Sequence, residues 1–220
     1  MTFTGFPDEG LVFYEGLEAD NSKTYWTRSK AVYDDCVRAP MQALVDELAG
    51  EFGPAKLFRP HRDVRFSHDK TPYKTHQGAV AHQEGRGAGA WYVQISAEGL
   101  RVAGGAWRLE SDQVERYRRA VADDVQGPRL RQEVDRLAVA GWSVDGDRLT
   151  RVPKGYEVDD ARADLLRHRS LHAGRLFDFA EWLHTREALE HVRSAWRELT
   201  ALNAWLADNV GATTKEVRRR

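Results

Sequence analysis

The stretch Trp91-Tyr92-Val93-Gln94-Ile95-Ser96-Ala97-Glu98-Gly99-Leu100-Arg101-Val102-Ala103-Gly104-Gly105-Ala106-Trp107 decides the fold. Aromatic and β-branched residues crowd Trp91 to Ala97 and Leu100 to Trp107, and Glu98-Gly99 between them is a turn signal. The two runs therefore read as an antiparallel hairpin. Gly104-Gly105 is expected to weaken or bulge the second strand. Upstream, Gly85-Arg86-Gly87-Ala88-Gly89 precedes a strand instead of opening a helix after one, so it reads as a hairpin loop and not as a dinucleotide fingerprint. The extended character runs from Ala55 to Arg108.

On either side the period becomes helical. Asn21 or Ser22 can cap a helix whose apolar stripe is Tyr25, Trp26, Ser29, Val32, Tyr33, Cys36 and Val37. Pro40 suits the first turn of a further helix through Met41, Leu44, Val45 and Leu48 to Gly53-Pro54, and the pair is expected to form a helical hairpin. Downstream, helices are expected at Asp112 to Val125 and Pro128 to Ala140, then a short hairpin turning at Asp145-Gly146 between Trp142 and Val152. Leu189, Val192, Trp196, Leu199, Leu202 and Leu206 make the clearest amphipathic stripe and read as core. The resulting fold class is α+β: a single domain over residues 1–214, its mainly antiparallel sheet packed by N- and C-terminal helices, with a basic tail at 215–220.

The chain has 220 residues, 41% hydrophobic and 30% charged, enough to build one core without disulfides or a structural metal. Lys and Arg number 33 against 34 Asp and Glu. That balance disfavours whole-surface attraction to nucleic acid or an anionic membrane, but leaves local patches open. Cys36 is the single cysteine, which excludes an intramolecular disulfide and a multi-thiolate metal site. It falls on the apolar stripe and reads as core. Met1 to Asp8 carry no basic-then-apolar leader, and no stretch nears the ~20 apolar residues of a spanning helix, so a cytoplasmic location is expected.

One segment departs from this balance. Lys56 to His76 holds six Lys/Arg, two Asp and three His in 21 residues, a local net charge of +4. If it is extended, Asp63 and Arg65 share one face while Val64 and Phe66 face the core. Arg59, Arg62, Arg65, Lys70, Tyr73 and Lys74 are the candidate ligand contacts. Arg offers a planar fork for a carboxylate or phosphate, Lys a compact charge, and hydroxyls further donors. Asp63 and Asp69 would hold the cations in place. The plain alternative is a loop of ordinary ion pairs. Ser67-His68-Asp69-Lys70 fits an acylating S-x-x-K pattern, but Pro72 and the missing partner motifs oppose it. His68-Asp69 lacks the upstream histidines of an HD phosphohydrolase. Metal binding by His61, His68, His76 and His82 is opposed by the surrounding positive charge, so no metal or cofactor is expected.

The central run Arg62-Asp63-Val64-Arg65-Phe66-Ser67, then Asp69-Lys70-Thr71-Pro72-Tyr73-Lys74-Thr75-His76, resembles the signature of the family known as domain of unknown function 2461. Supporting matches are Phe3-Thr4-Gly5-Phe6-Pro7, Trp26 with Lys30, Arg38-Ala39-Pro40-Met41, Tyr92 to Ser96, Gly104-Gly105, Pro153-Lys154-Gly155-Tyr156 and Leu165 to Arg169. Ala19-Asp20-Asn21-Ser22 stands where the family has a paired-Asn turn. The resemblance implies one α+β domain and brings no activity, cofactor or catalytic residue. The residues themselves favour binding of a small phosphorylated or other anionic ligand, which Arg167 and Arg169 could join from a distant helix. The alternatives are an enzyme acting on a phosphate ester, with Asp63, Asp69 or His76 as acid or base, and single-stranded nucleic-acid binding through Phe58, Phe66 and Tyr73 among the cations.

Overall fold

The computed structural model describes residues 2–65, 69–83, 85, 87–156 and 160–215. In chain order the elements are α1 (Asp8–Ala19), α2 (Lys23–Tyr33), a π-helical turn (Asp34–Arg38), α3 (Ala39–Phe52), β1 (Ala55–Leu57), β2 (His76–Ala81), β3 (Ala90–Ser96) and β4 (Gly99–Ala106). There follow α4 (Ser111–Ala122), α5 (Gln126–Val139), β5 (Ser143–Asp145), α6 (Asp160–Leu166), β6 (Leu171–Phe177), a 3₁₀ turn (Glu181–His184), α7 (Glu187–Glu198) and α8 (Thr200–Asn209). The fold is α+β, with one six-stranded antiparallel sheet in the order β1-β2-β3-β4-β6-β5. Among the described residues no helix is long and apolar enough to cross a membrane.

The decisive hairpin is present as β3 and β4, turning at Ala97-Glu98. β4 continues through Gly104 and Gly105. A Cβ at Gly105, where φ is +130°, would lie 2.4 Å from the Leu171 carbonyl oxygen, so only glycine admits the neighbouring backbone there.

Two expected connections differ. α2 and α3 do not form a hairpin, because Tyr33, Asp34, Arg38 and Ala39 all keep right-handed helical backbone. The Ala39 N–H reaches the Asp34 carbonyl, five residues back. This wider turn carries the helix past Pro40, which has no N–H to donate, without reversing the chain. Nor does Trp142 to Val152 fold on itself. Ser143, Val144 and Asp145 pair with Gly174, Ala173 and His172, and Arg148 bridges to His168. Gly146 is a kink in that longer pairing, where a Cβ would sit 2.0 Å from the Ser170 carbonyl oxygen. Residues 171–177 are the strand that supplies the partner; the sequence reading had no strand there.

The chain clusters into two compact units, one of Met1–Ala81, Tyr92–Val102 and Leu176–Ala195, the other of His82–Trp91, Ala103–Arg175 and Trp196–Arg220. The first is built on rings. Phe13 lies with ring centroids 5.1 to 5.8 Å from Tyr14, Tyr25, Trp26 and Tyr33. Trp26 and Tyr33 are buried, as their spacing predicts, whereas Tyr25 and Cys36 are half-buried. The Tyr25 hydroxyl donates to the Phe13 carbonyl at 2.8 Å, which explains why it stays near the surface. The N-terminal segment is pinned by Glu47, whose Oε1 accepts from Phe3 N–H at 2.7 Å and from Arg186 Nη1 at 3.0 Å.

In the second unit Trp196, Leu199, Leu202 and Leu206 are fully buried. Each large apolar side chain so placed contributes ~1.5–3 kcal/mol. Around them Trp91 Nε1 donates to the Trp196 carbonyl at 3.0 Å and Asn203 Nδ2 to the Ala90 carbonyl at 3.2 Å, while Asn203 Oδ1 is buried without a partner among the described residues. The C-terminal stripe is divided at Leu199, between α7 and α8, and not carried by one helix.

Candidate functional site

The basic segment is an excursion between two paired strands. β1 and β2 are antiparallel, with Leu57 opposite Ala79, and Phe58 N–H extends the ladder to the Gly78 carbonyl at 2.9 Å. A second closure lies further out: His61 bridges to Tyr73, with Arg62 N–H on the Pro72 carbonyl at 2.9 Å and Lys74 N–H on the Pro60 carbonyl at 2.8 Å. Both prolines thus serve as acceptors, the one backbone role open to them. Residues 62–64 are loop and not strand, and Phe66, Ser67 and His68 lie outside the described residues, so the core-facing position expected for Phe66 and the Ser67 and His68 motifs fall there too. So do Arg86 and residues 216–220 of the basic tail.

Asn21 ties this loop to the helices. Its Nδ2 donates to the Tyr73 carbonyl at 3.0 Å and its Oδ1 accepts from the Tyr73 N–H at 3.1 Å. The Tyr73 ring is 5% exposed and stacks on Trp26, centroids 4.3 Å apart and planes 8° from parallel. His61 adds a tilted ring contact at 5.1 Å. Tyr73 is therefore held in place by backbone clamp and stack together.

The candidate cations divide by what they touch. Arg62 donates from Nε to the Tyr73 carbonyl at 3.0 Å and from Nη1 to Asp69. Asp69 in turn accepts from the Thr71 N–H at 2.9 Å and the Thr71 hydroxyl at 2.7 Å. Arg65 makes a bidentate pair with Asp63, at 2.9 and 2.6 Å, and Lys70 donates to the Val64 carbonyl at 3.0 Å. Hydrogen bonds from Arg65 hold the Asp63 carboxyl well below the usual carboxylate range; those from Thr71, with the Arg62 charge, lower Asp69. These bonds favour the ionised form of both carboxylates.

Arg59 and Lys74 differ. Among the described residues neither side chain forms a hydrogen bond or ion pair, although Lys74 Nζ lies 5.2 Å over the Phe58 ring. Burial lowers the Lys74 pKa, and the charges of Arg59 and Arg62 lower it further. His76, at the start of β2, is likewise lowered by burial and by Lys74 and Arg62. Arg59 lines a cleft of about 400 Å³ with Trp26, Tyr33, His61 and Arg38. Arg38, whose side chain likewise has no ion pair or hydrogen bond among the described residues, is not one of the candidates read from the sequence; its signal is its place in the Arg38-Ala39-Pro40-Met41 match. Lys30, on the same cleft, is paired with Asp34. Arg167 and Arg169 belong to the other unit, where Arg167 Nε donates to the Leu149 carbonyl at 2.8 Å and Arg169 lies 3.5 Å from Asp147. Among the described residues no group of three His, Cys, Asp or Glu is placed to hold a metal ion.

Comparison with known proteins returns one family, described as conserved hypothetical protein (DUF2461), which matches residues 9–205. No curated protein and no solved structure matches the chain.

Proposed function

We propose, for a chain that belongs to the DUF2461 family of conserved hypothetical proteins, that the central basic segment binds a small phosphorylated or other anionic ligand. The observation that carries this reading is a cluster of positive charge without matching carboxylates: among the described residues the Arg59 and Lys74 side chains have no ion pair, and the proton affinities of Lys74 and His76, lowered first by burial, are lowered further by neighbouring cations. An anion would relieve that repulsion, and a partly desolvated site strengthens the attraction. Arg59, Lys74 and Arg38 are the contacts in this reading, with Arg62, Arg65, Lys70 and Tyr73 shaping the loop and contributing to its field.

The test is thermal stabilisation by phosphate against chloride at matched ionic strength, in wild type and in Arg59→Gln with Lys74→Gln. A ligand that binds the native state alone stabilises by RT ln(1 + [L]/Kd), ~2.7 kcal/mol at a hundredfold excess over Kd. A saturable shift that largely disappears in the double variant is expected. Equal responses in the two proteins reject the site, because surface exclusion of phosphate acts on both alike. The neutral imidazole of His76 favours a second reading, turnover of a phosphate ester with His76 as general base. Hydrolysis of p-nitrophenyl phosphate that survives unchanged in His76→Gln would reject it.

A further inference from the structure

We propose a second ligand site, in the other compact unit: a cleft of about 690 Å³ on one face of α4 that binds a small organic anion carried on an apolar body, its charged end on Arg118. Ser111, Val114, Glu115 and Arg118 all line it, and their i, i+3, i+4, i+7 spacing is a single helix face. Its size is that of a pocket for a drug-sized molecule.

The charges of the cleft decide the ligand. Each carboxylate on its lining already has a cation: Glu110 lies 3.3 Å from Arg108, Glu115 2.8 Å from Arg119 and Asp147 3.5 Å from Arg169. Arg118 is left over. Among the described residues its side chain makes no hydrogen bond or ion pair, and its Nε is buried without an acceptor. A buried N–H of a charged group is rarely left so, and an acceptor that arrives with a ligand accounts for it. The edge formed by Nε–H and one Nη–H is a two-donor fork, matched by two oxygens of a carboxylate or a phosphate. Val114, Leu149 and the rings of Trp107 and Tyr156 supply an apolar lining beside that fork, so the anion is the end of a molecule with an apolar body and not a free inorganic ion. None of these residues belongs to the central basic segment, so the site stands independently of the first.

Calorimetric titration of the whole chain with phenyl phosphate and with benzoate tests this, with inorganic phosphate as the headgroup alone. In the Arg59→Gln with Lys74→Gln background, which removes the first site, saturable one-to-one binding of either aromatic anion is expected, weakened at least tenfold by adding Arg118→Gln. The tighter of the two probes identifies the headgroup. Leu149→Ser should weaken the aromatic anion while leaving inorganic phosphate unchanged. If Arg118→Gln loses its far-ultraviolet spectrum, Arg118→Lys replaces it, keeping charge and helix while removing the fork, and at least threefold weaker binding is expected. Failure of both probes to saturate, wild-type affinity in the Arg118 variants, or loss of binding in the Arg59/Lys74 variant instead would each overturn the assignment.

Discussion

Replacing Asn21 by Ala should destabilise the protein out of proportion to the size of the side chain, because Asn21 makes both backbone hydrogen bonds that join the helices to Tyr73, at 3.0 and 3.1 Å. The two ends of that clamp are not equivalent. The Tyr73 carbonyl keeps a donor, Arg62 Nε at 3.0 Å, whereas among the described residues the Tyr73 N–H has no other acceptor, and it sits in a residue only 5% exposed. A net hydrogen bond contributes ~1 kcal/mol, and a buried donor left unpaired costs ~1–3 kcal/mol, so a loss of about 2 kcal/mol is expected. In a chain of this length each kcal/mol moves the midpoint by ~2–4 °C, hence a fall of roughly 4–8 °C. Urea unfolding should show a lower midpoint with an unchanged slope, which assigns the loss to the native state. Asn21→Asp is the discriminating partner: it keeps an acceptor for the Tyr73 N–H but sets a second carboxylate oxygen against the Tyr73 carbonyl, so it should rescue part of the loss and no more. A Asn21→Ala protein within ~0.5 kcal/mol of wild type, the range of ordinary surface changes, would show that the loop is held by the Trp26–Tyr73 stack alone.

Other outcomes follow from the same contacts. Tyr33→Phe removes the donor 2.6 Å from the buried Gln77 Oε1 and should lower stability by ~1–3 kcal/mol in the same urea assay. Asp63→Asn frees Arg65 and adds a positive charge beside the cluster, so the phosphate-induced thermal shift should grow; a smaller shift would mean that Asp63 organises the site instead of competing for it. His76, His168 and His172 all have folded-state pKa values lowered chiefly by burial. Their contribution is present above the unfolded value of ~6.5 and is lost as pH falls through the folded values, so the midpoint should drop between about pH 7 and 5, before the carboxylates titrate. His172→Gln should flatten that slope. Because an anion offsets the part of the lowering at His76 that comes from neighbouring cations, sulfate binding near pH 6 should take up protons, seen as a binding heat that changes with the ionisation enthalpy of the buffer.

The local rules carry the hairpin of β3 and β4, a helix cap at Asn21 or Ser22, which the fold gives to Ser22 with its Oγ accepting from Tyr25 N–H at 3.1 Å, and the buried stripe from Leu189 to Leu206. They are legible because periodicity, capping and turn chemistry act over a few residues. The same is true of the charge density from Lys56 to His76, a property of composition. Partner choice is not local. That α2 runs into α3 depends on a single wider turn before Pro40, which a rule for helix starts reads as a break. That Ser143 to Asp145 pairs with residues about 30 positions downstream, and not across Gly146, is settled by the backbone of Ser170 lying against that glycine. Asn21, between α1 and α2, and Arg38, in the π-helical turn, reach the basic segment from far away in sequence, and which cations stay unpaired depends on which carboxylates lie within hydrogen-bond reach. Charge could therefore be counted from the amino acids alone, but its compensation could not, since Coulomb energy and hydrogen bonding fall away over a few ångströms and only the folded chain sets those distances.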